Sequence, residues 1–216
     1  MTKAQDAVRW PAQAGYNVIE LMFVVGIMGV LTGMALLQMG ASRPGLKGDG
    51  AMRVVLSQMN AARELAITQR RNMRIEFTAG NKVEIRREEV TVPATDPPTM
   101  TTISSVLMEG GLQFATVTNV PITSTVPDVV CNGSITAVSF PTATGTPLEV
   151  KFKPDGSLVN QEGAILNGTV CLSLPNQVYG TTSSTNGVLS ARAVTVLGST
   201  GRVRGYRFDG HVWKMV

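Results

Sequence analysis

GYNVIELMFVVGIMGVLTGMALLQMGA, Gly15 to Ala41, carries one charge, Glu20, and no proline over the twenty-six residues that follow Gly15. As a helix rising 1.5 Å per residue, those residues reach roughly 39 Å, more than the ~30 Å hydrocarbon layer of a bilayer. Apolar side chains run all the way round such a helix. That is the pattern of a segment solvated by lipid or by other helices, not of a surface helix with one wet face. A carboxylate near one end costs about 2.5 to 3.5 kcal/mol at membrane depth, so Glu20 requires a partner or a role. Gly26, Gly29 and Gly33 fall at helical spacing, and Gly29 with Gly33 forms a small-xxx-small pair at which another helix can approach closely.

Gly15 followed by Tyr16-Asn17-Val18-Ile19-Glu20-Leu21-Met22 resembles the processing site of type IV prepilins and pseudopilins. The resemblance implies a prepilin peptidase cut after Gly15 on the cytoplasmic face, with Tyr16 as the N-methylated first residue of the mature chain. It also implies that Glu20 is the assembly carboxylate. Tyr16 stands where that family more often has phenylalanine, and Asn17-Val18 where Thr-Leu is common. Residues 1 to 15 read as a prepilin leader: Lys3 and Arg9 face only Asp6, and no apolar core precedes Gly15. A secretory signal peptide would instead place its apolar region ahead of the cut. Positive charge before the span favours a cytoplasmic N-terminus, and Arg43 and Lys47 beyond it reduce that bias. The expected location is the bacterial inner membrane, crossed once by residues 16–41, with the C-terminal domain periplasmic and a filament or pilus after assembly.

Beyond leader and span about 175 residues remain, enough for one domain with its own core, expected over 46–216. Gly40-Ala41-Ser42-Arg43-Pro44-Gly45 should break the helix, because proline lacks an N–H and turns its predecessor away from helical angles. A second, amphipathic helix is expected over 48–72. Met52, Val55, Leu56, Met59, Ala62 and Ala66 recur at three- and four-residue steps, with Arg53, Asn60, Arg63, Glu64, Arg70 and Arg71 around them. Asp49 reads as its N-cap and Asn72 as its end. Its segment Ala61 to Ile67, AARELAI, resembles the helix of the GspH/FimT branch of pseudopilins and minor pilins, as does Phe152-Lys153-Pro154-Asp155-Gly156.

From Met73 the composition turns to β. Residues 73–78 and 82–87 alternate about Ala79-Gly80-Asn81 as a hairpin. Strands interrupted by long loops are expected between Thr91 and Thr125, with apolar patches at Ile103–Met108 and Leu112–Val117. Further strands are expected at Ile135–Phe140, Leu148–Lys153, Ser157–Asn160, Gly168–Leu174, Ala191–Leu197, Arg202–Phe208 and His211–Val216, with a polar surface loop over Gly180–Gly187. Cys131 and Cys171 are the only cysteines. In an exported domain such a pair reads as a disulfide, the other reading being two buried thiols. The fold class is therefore α+β and, on the resemblance, type IV pilin-like: a long N-terminal helix, part span and part amphipathic, packed on a mostly antiparallel β domain.

The segment from Ala191 onward holds Arg192, Arg202, Arg204, Arg207 and Lys214 against Asp209, a net +4 that equals the formal charge of the whole chain. Alternation puts Arg202 and Arg204 on one face of a strand, where two guanidiniums can grip successive phosphates, with Tyr206 or Trp213 to stack on bases. Gly201-Arg202-Val203-Arg204 resembles the GRxR segment of FimT-like minor pilins, which implies nucleic-acid contact by Arg202 and Arg204, with Arg207 and Lys214 of the same basic tail as further candidate contacts. A solvated or filament-contact face is the other reading. Enzyme chemistry finds no foothold: His211 is the single histidine, and no His, Cys and carboxylate spacing fits a metal or a catalytic base. No cofactor, metal or catalytic residue is expected. The expected function is a structural subunit of a type II secretion pseudofilament or type IV pilus, joined to sister pilins through its N-terminal helix.

Overall fold

The computed structural model describes residues 15, 17–78, 80–90, 98–120, 131, 136–140, 148–180 and 188–216, and at 37–42 and 148 the backbone alone. Tyr16, Ala79, Ile135, the leader residues 1–14, parts of the Thr91–Thr125 segment, and the Gly180–Gly187 loop beyond Gly180 lie outside the described residues. The chain divides into two compact units, Met1–Ala41 and Ser42–Val216.

Within the first unit, Val18–Leu36 is a 19-residue helical window of mean hydropathy 2.1, none of it buried. Asn17 caps its start: the Asn17 side-chain oxygen accepts a hydrogen bond from the Ile19 N–H at 3.2 Å, and the Asn17 carbonyl accepts from the Leu21 N–H at 3.1 Å. An asparagine cap followed three residues later by Glu20 has the spacing of a capping box, and a carboxylate in the first turn complements the helix dipole.

Helix α1 covers Val18–Gln69, with Pro44 inside it. The break expected over Gly40–Gly45 is therefore absent. Proline in a helix interior removes one backbone hydrogen bond at a cost of about 3 kcal/mol. Just after it, Gly45, Gly48 and Asp49 are fastened to the β domain, so tertiary contacts override the local signal. Asp49, lying inside α1, is not the expected N-cap. The helix also ends earlier than Asn72. Arg70 takes the left-handed conformation at φ 51°, and the Arg71 N–H returns to the Ala66 carbonyl at 3.3 Å, the bonding of a Schellman cap.

In the second unit, β1 (Met73–Thr78), β2 (Lys82–Glu88), β3 (Met100–Leu107), β6 (Leu148–Phe152) and β7 (Leu158–Val159) form one antiparallel sheet, ordered β3-β2-β1-β6-β7. A second antiparallel sheet is ordered β11-β10-β9-β8-β4: β11 (Trp213–Met215), β10 (Arg202–Phe208), β9 (Arg192–Leu197), β8 (Gly168–Ser173) and β4 (Gln113–Phe114). Strand β5 (Val138–Ser139) also pairs with β8. The alternation of MRIEFT sends Met73, Ile75 and Phe77 inward and Arg74 and Glu76 to the other face of the first sheet. There Glu76 stands directly opposite Glu84, a repulsive pairing. Arg86 offsets it by bridging both, at 2.6 Å to Glu76 and 2.9 Å to Glu84.

Met52, Val55, Met59, Ala62 and Ala66 of α1 are buried with Ile75, Val83, Val150 and Phe152 of the first sheet and Val170, Leu172, Val194 and Val196 of the second. Each of the larger side chains contributes about 1.5 to 3 kcal/mol by leaving water. The second sheet also buries its far face. Cys171, Ala193, Tyr206, Phe208 and Trp213 join Val117, Val120, Cys131 and Val188 in a separate core. Its strands β8 and β9 accordingly read as near-continuous apolar runs and not as alternating ones.

Candidate functional site

Two regions bear on function, the exposed apolar helix and the basic residues of the second sheet. In the first, Val18, Ile19, Leu21, Met22, Phe23, Ile27, Val30, Leu31 and Met34 are exposed, and Glu20 is exposed beside them. A methyl group added at Gly26, Gly29 or Gly33 would meet nothing within 4 Å. No contact among the described residues therefore requires glycine there, and the three positions leave a shallow notch on the helix. The Thr32 hydroxyl donates to the Met28 carbonyl at 2.7 Å, so the segment's hydroxyl is satisfied without water. By length and composition this helix fits a membrane anchor or a signal sequence. Gly15 is exposed at its start, and Tyr16 lies outside the described residues.

The four basic residues expected to act together are divided by the sheet. A side chain at Gly205 would touch Leu56 and Met52 of α1 at 3.0 Å, so Val203, Gly205 and Arg207 face that helix while Arg202, Arg204, Tyr206 and Phe208 face away. Register pairs Arg207 with Lys214 on the helix-facing side. Arg207 lies 4.0 Å from Asp49, and Lys214 pairs with Asp209 at 2.7 Å. Arg202 is exposed, whereas Arg204 is half-buried and already partnered. Tyr206 and Trp213, expected to offer stacking surfaces, are both only 4% exposed within the far core. Burial of both faces of the second sheet, which alternation alone cannot reveal, removes them from the surface.

Asp209 organises the turn between β10 and β11. Its carboxylate accepts from the His211 N–H at 2.9 Å and the Val212 N–H at 2.8 Å. The Lys214 ammonium foremost, then these two amides, hold it well below the usual carboxylate range. A carboxyl depressed in the folded state contributes stability that is present above the unfolded value, about pH 4, and is lost as pH falls through the folded one. Asp209→Asn should therefore lower stability by at most about 1 kcal/mol near neutrality, since the pair is surface-exposed. In urea titrations across pH, the gap between variant and parent should close on acidification. A gap that widens in acid would refute the assignment.

Among the described residues, the largest fully buried side chain is one that the local sequence does not single out. Arg192, at 1% exposure, spreads its guanidinium over four acceptors. Its Nε donates to Asp49 at 2.8 Å, one terminal nitrogen to the Leu189 and Ala191 carbonyls at 2.7 Å each, and the other to the Gly45 carbonyl at 2.8 Å. Burial lowers its proton affinity and the bond to Asp49 opposes that. Gly48 is what lets α1 come so close, because a Cβ there would sit 2.5 Å from the Ser190 carbonyl oxygen. On the far face, Cys131 and Cys171 form a disulfide with Cα atoms 5.6 Å apart.

The protein is thus α+β, with an N-terminal apolar helix and antiparallel sheets, an arrangement compatible with a pilin-like fold. Comparison with protein-family models, curated proteins and solved structures finds no match to the chain.

Proposed function

We propose that the chain is a structural subunit of a pilus-like filament, a type II secretion pseudopilin or a minor type IV pilin of the GspH/FimT kind. On this proposal prepilin peptidase removes residues 1–15, Tyr16 is methylated, and the subunit waits in the inner membrane with its β domain in the periplasm. The observation that carries it is the wholly exposed apolar helix Val18–Leu36, with its single acid in the first turn immediately after the Gly15-Tyr16 junction. A helix leaving lipid for a bundle of like helices exchanges apolar contacts without gaining them, so directional interactions must set the register. A Glu20 carboxylate meeting the freed α-amino group of a neighbouring subunit supplies one, because a charge in a low-dielectric bundle is tolerated only when paired. The notch at Gly26, Gly29 and Gly33 fits close approach of that neighbour.

Mass spectrometry of the cellular protein and of sheared filaments tests this. The parent should begin at Tyr16, and Gly15→Ala should retain its leader. Glu20→Ala should be cut and inserted normally yet fall at least tenfold in the filament fraction, a loss of more than about 1.4 kcal/mol in assembly. Undiminished incorporation of Glu20→Ala, or a mature terminus elsewhere, would remove the proposal.

A further inference from the structure

Asn60 and Arg63 of α1, with Leu197, Thr200, Arg202 and Val203 of the β9–β10 hairpin, line a cleft of about 490 Å³ in the Ser42–Val216 unit. Two of the six are arginines and none is an acid. Neither arginine has an ion-pair partner among the described residues, although nearly every basic residue of the first sheet does.

Arg63 is held in place by packing. A Cβ at Gly201 would come within 2.8 Å of its Nε and 2.9 Å of its Cδ, and one at Gly156 within 3.3 Å of its Nε. Both glycines sit in left-handed turn positions, at φ 62° and 82°, so two hairpin turns close around the arginine stem. The Nε is shielded and has no hydrogen-bond partner among the described residues, which leaves the two terminal amino groups to meet a ligand end-on. A guanidinium fixed in this way loses little side-chain entropy on binding. Its planar fork matches a carboxylate or another oxyanion. Asn60 and Thr200 add a neutral amide and hydroxyl.

The surroundings choose among oxyanions. Leu197 and Ile67, beside the cleft, are 40% and 41% exposed, and Val203 completes an apolar border. A phosphodiester chain needs a track of cations, but Arg207 stands beside Asp49, Lys214 is paired with Asp209, and Tyr206 and Trp213 are buried. We propose that this cleft is a docking site for a single carboxylate, an Asp or Glu side chain flanked by apolar residues on a partner protein. It stands independently of whether the chain assembles into filaments.

The test uses the full chain in detergent micelles, with arginine side-chain ¹⁵N resonances as the readout and the peptide acetyl-Leu-Asp-Leu-amide as the probe. The peptide should shift the Arg63 signal with a Kd on the order of 1 mM, and its Asn counterpart should bind at least about tenfold more weakly. Arg63→Gln should abolish the response. Because Arg63 is wedged between turns, Arg202→Gln, at an exposed position, provides the same test without disturbing the fold and should weaken binding several-fold. Equal binding of the Asp and Asn peptides, or no shift of Arg63 with either, would overturn the proposal. So would a duplex DNA that shifts the same resonances, outcompetes the peptide and loses affinity steeply with salt, because the face would then belong to nucleic acid.

Discussion

Arg192→Ala is expected to cost about 3 to 5 kcal/mol of stability, the range for breaking a buried ion pair from one side. At 1% exposure the guanidinium cannot be replaced by water without reopening the contact between α1 and β9. Its loss strands the carbonyls of Gly45, Leu189 and Ala191 together and leaves Asp49 only Arg207, at 4.0 Å. For a chain of this size that corresponds to a fall in Tm of roughly 6 to 20 °C. Arg192→Lys should recover only part of it: an ammonium can pair with Asp49 but cannot fork over acceptors on both sides. Gly48→Ala attacks the same joint sterically, since its methyl would meet the Ser190 carbonyl oxygen at 2.5 Å, and should also destabilise strongly. Near-UV circular dichroism during thermal and urea unfolding measures all three. If Arg192→Ala stayed within about 1 kcal/mol of the parent, the arginine would be a passenger and not the clasp of the helix.

That clasp shows where sequence reasoning runs out. Asp49 and Arg192 are 143 residues apart, so no local window contains both. Each taken alone fits a commoner role, Asp49 as a helix cap and Arg192 as one charge in a basic tail. Pro44 misleads for the same reason: its local preference is real, and contacts from distant residues override it. Where a pattern depends on one element and one buried face, it is legible. The stripe of Met52, Val55, Met59, Ala62 and Ala66 is buried, while Arg53, Asn60 and Glu64 are exposed. The hairpins around Gly80-Asn81 and Asp209-Gly210 likewise fall where their turn residues put them. Alternation also places Arg202 with Arg204 correctly. It says nothing of what covers that face, so the partition into two sheets and the burial of Tyr206 and Trp213 stayed hidden. The apolar helix, by contrast, needs no tertiary knowledge: hydropathy alone specifies it, and nothing among the described residues covers it.

Removing the disulfide, as Cys131→Ala with Cys171→Ala, is expected to destabilise the Ser42–Val216 unit by about 4 kcal/mol. The bond closes a separation of 40 residues, and the loop-entropy relation gives that magnitude for a loop of such length. Alanine is the appropriate replacement, because Cys171 is fully buried against Ala193 and Tyr206 and a serine hydroxyl would add an unsatisfied donor to the far core. The damage should concentrate there. Cys131 shares the far core with Cys171, Val117, Val120, Tyr206 and Trp213, and that core depends on the bond. The first core does not: Met52, Val55, Met59 and the strands around Ile75 contain neither cysteine. Hydrogen exchange should therefore show strongly raised rates in β8 to β11 and much smaller changes in β1 and β2. Reductant should reproduce the loss in the parent and leave the double variant unmoved. Equal stability of parent and variant, or uniform acceleration across both sheets, would mean that the bond decorates the far core without supporting it.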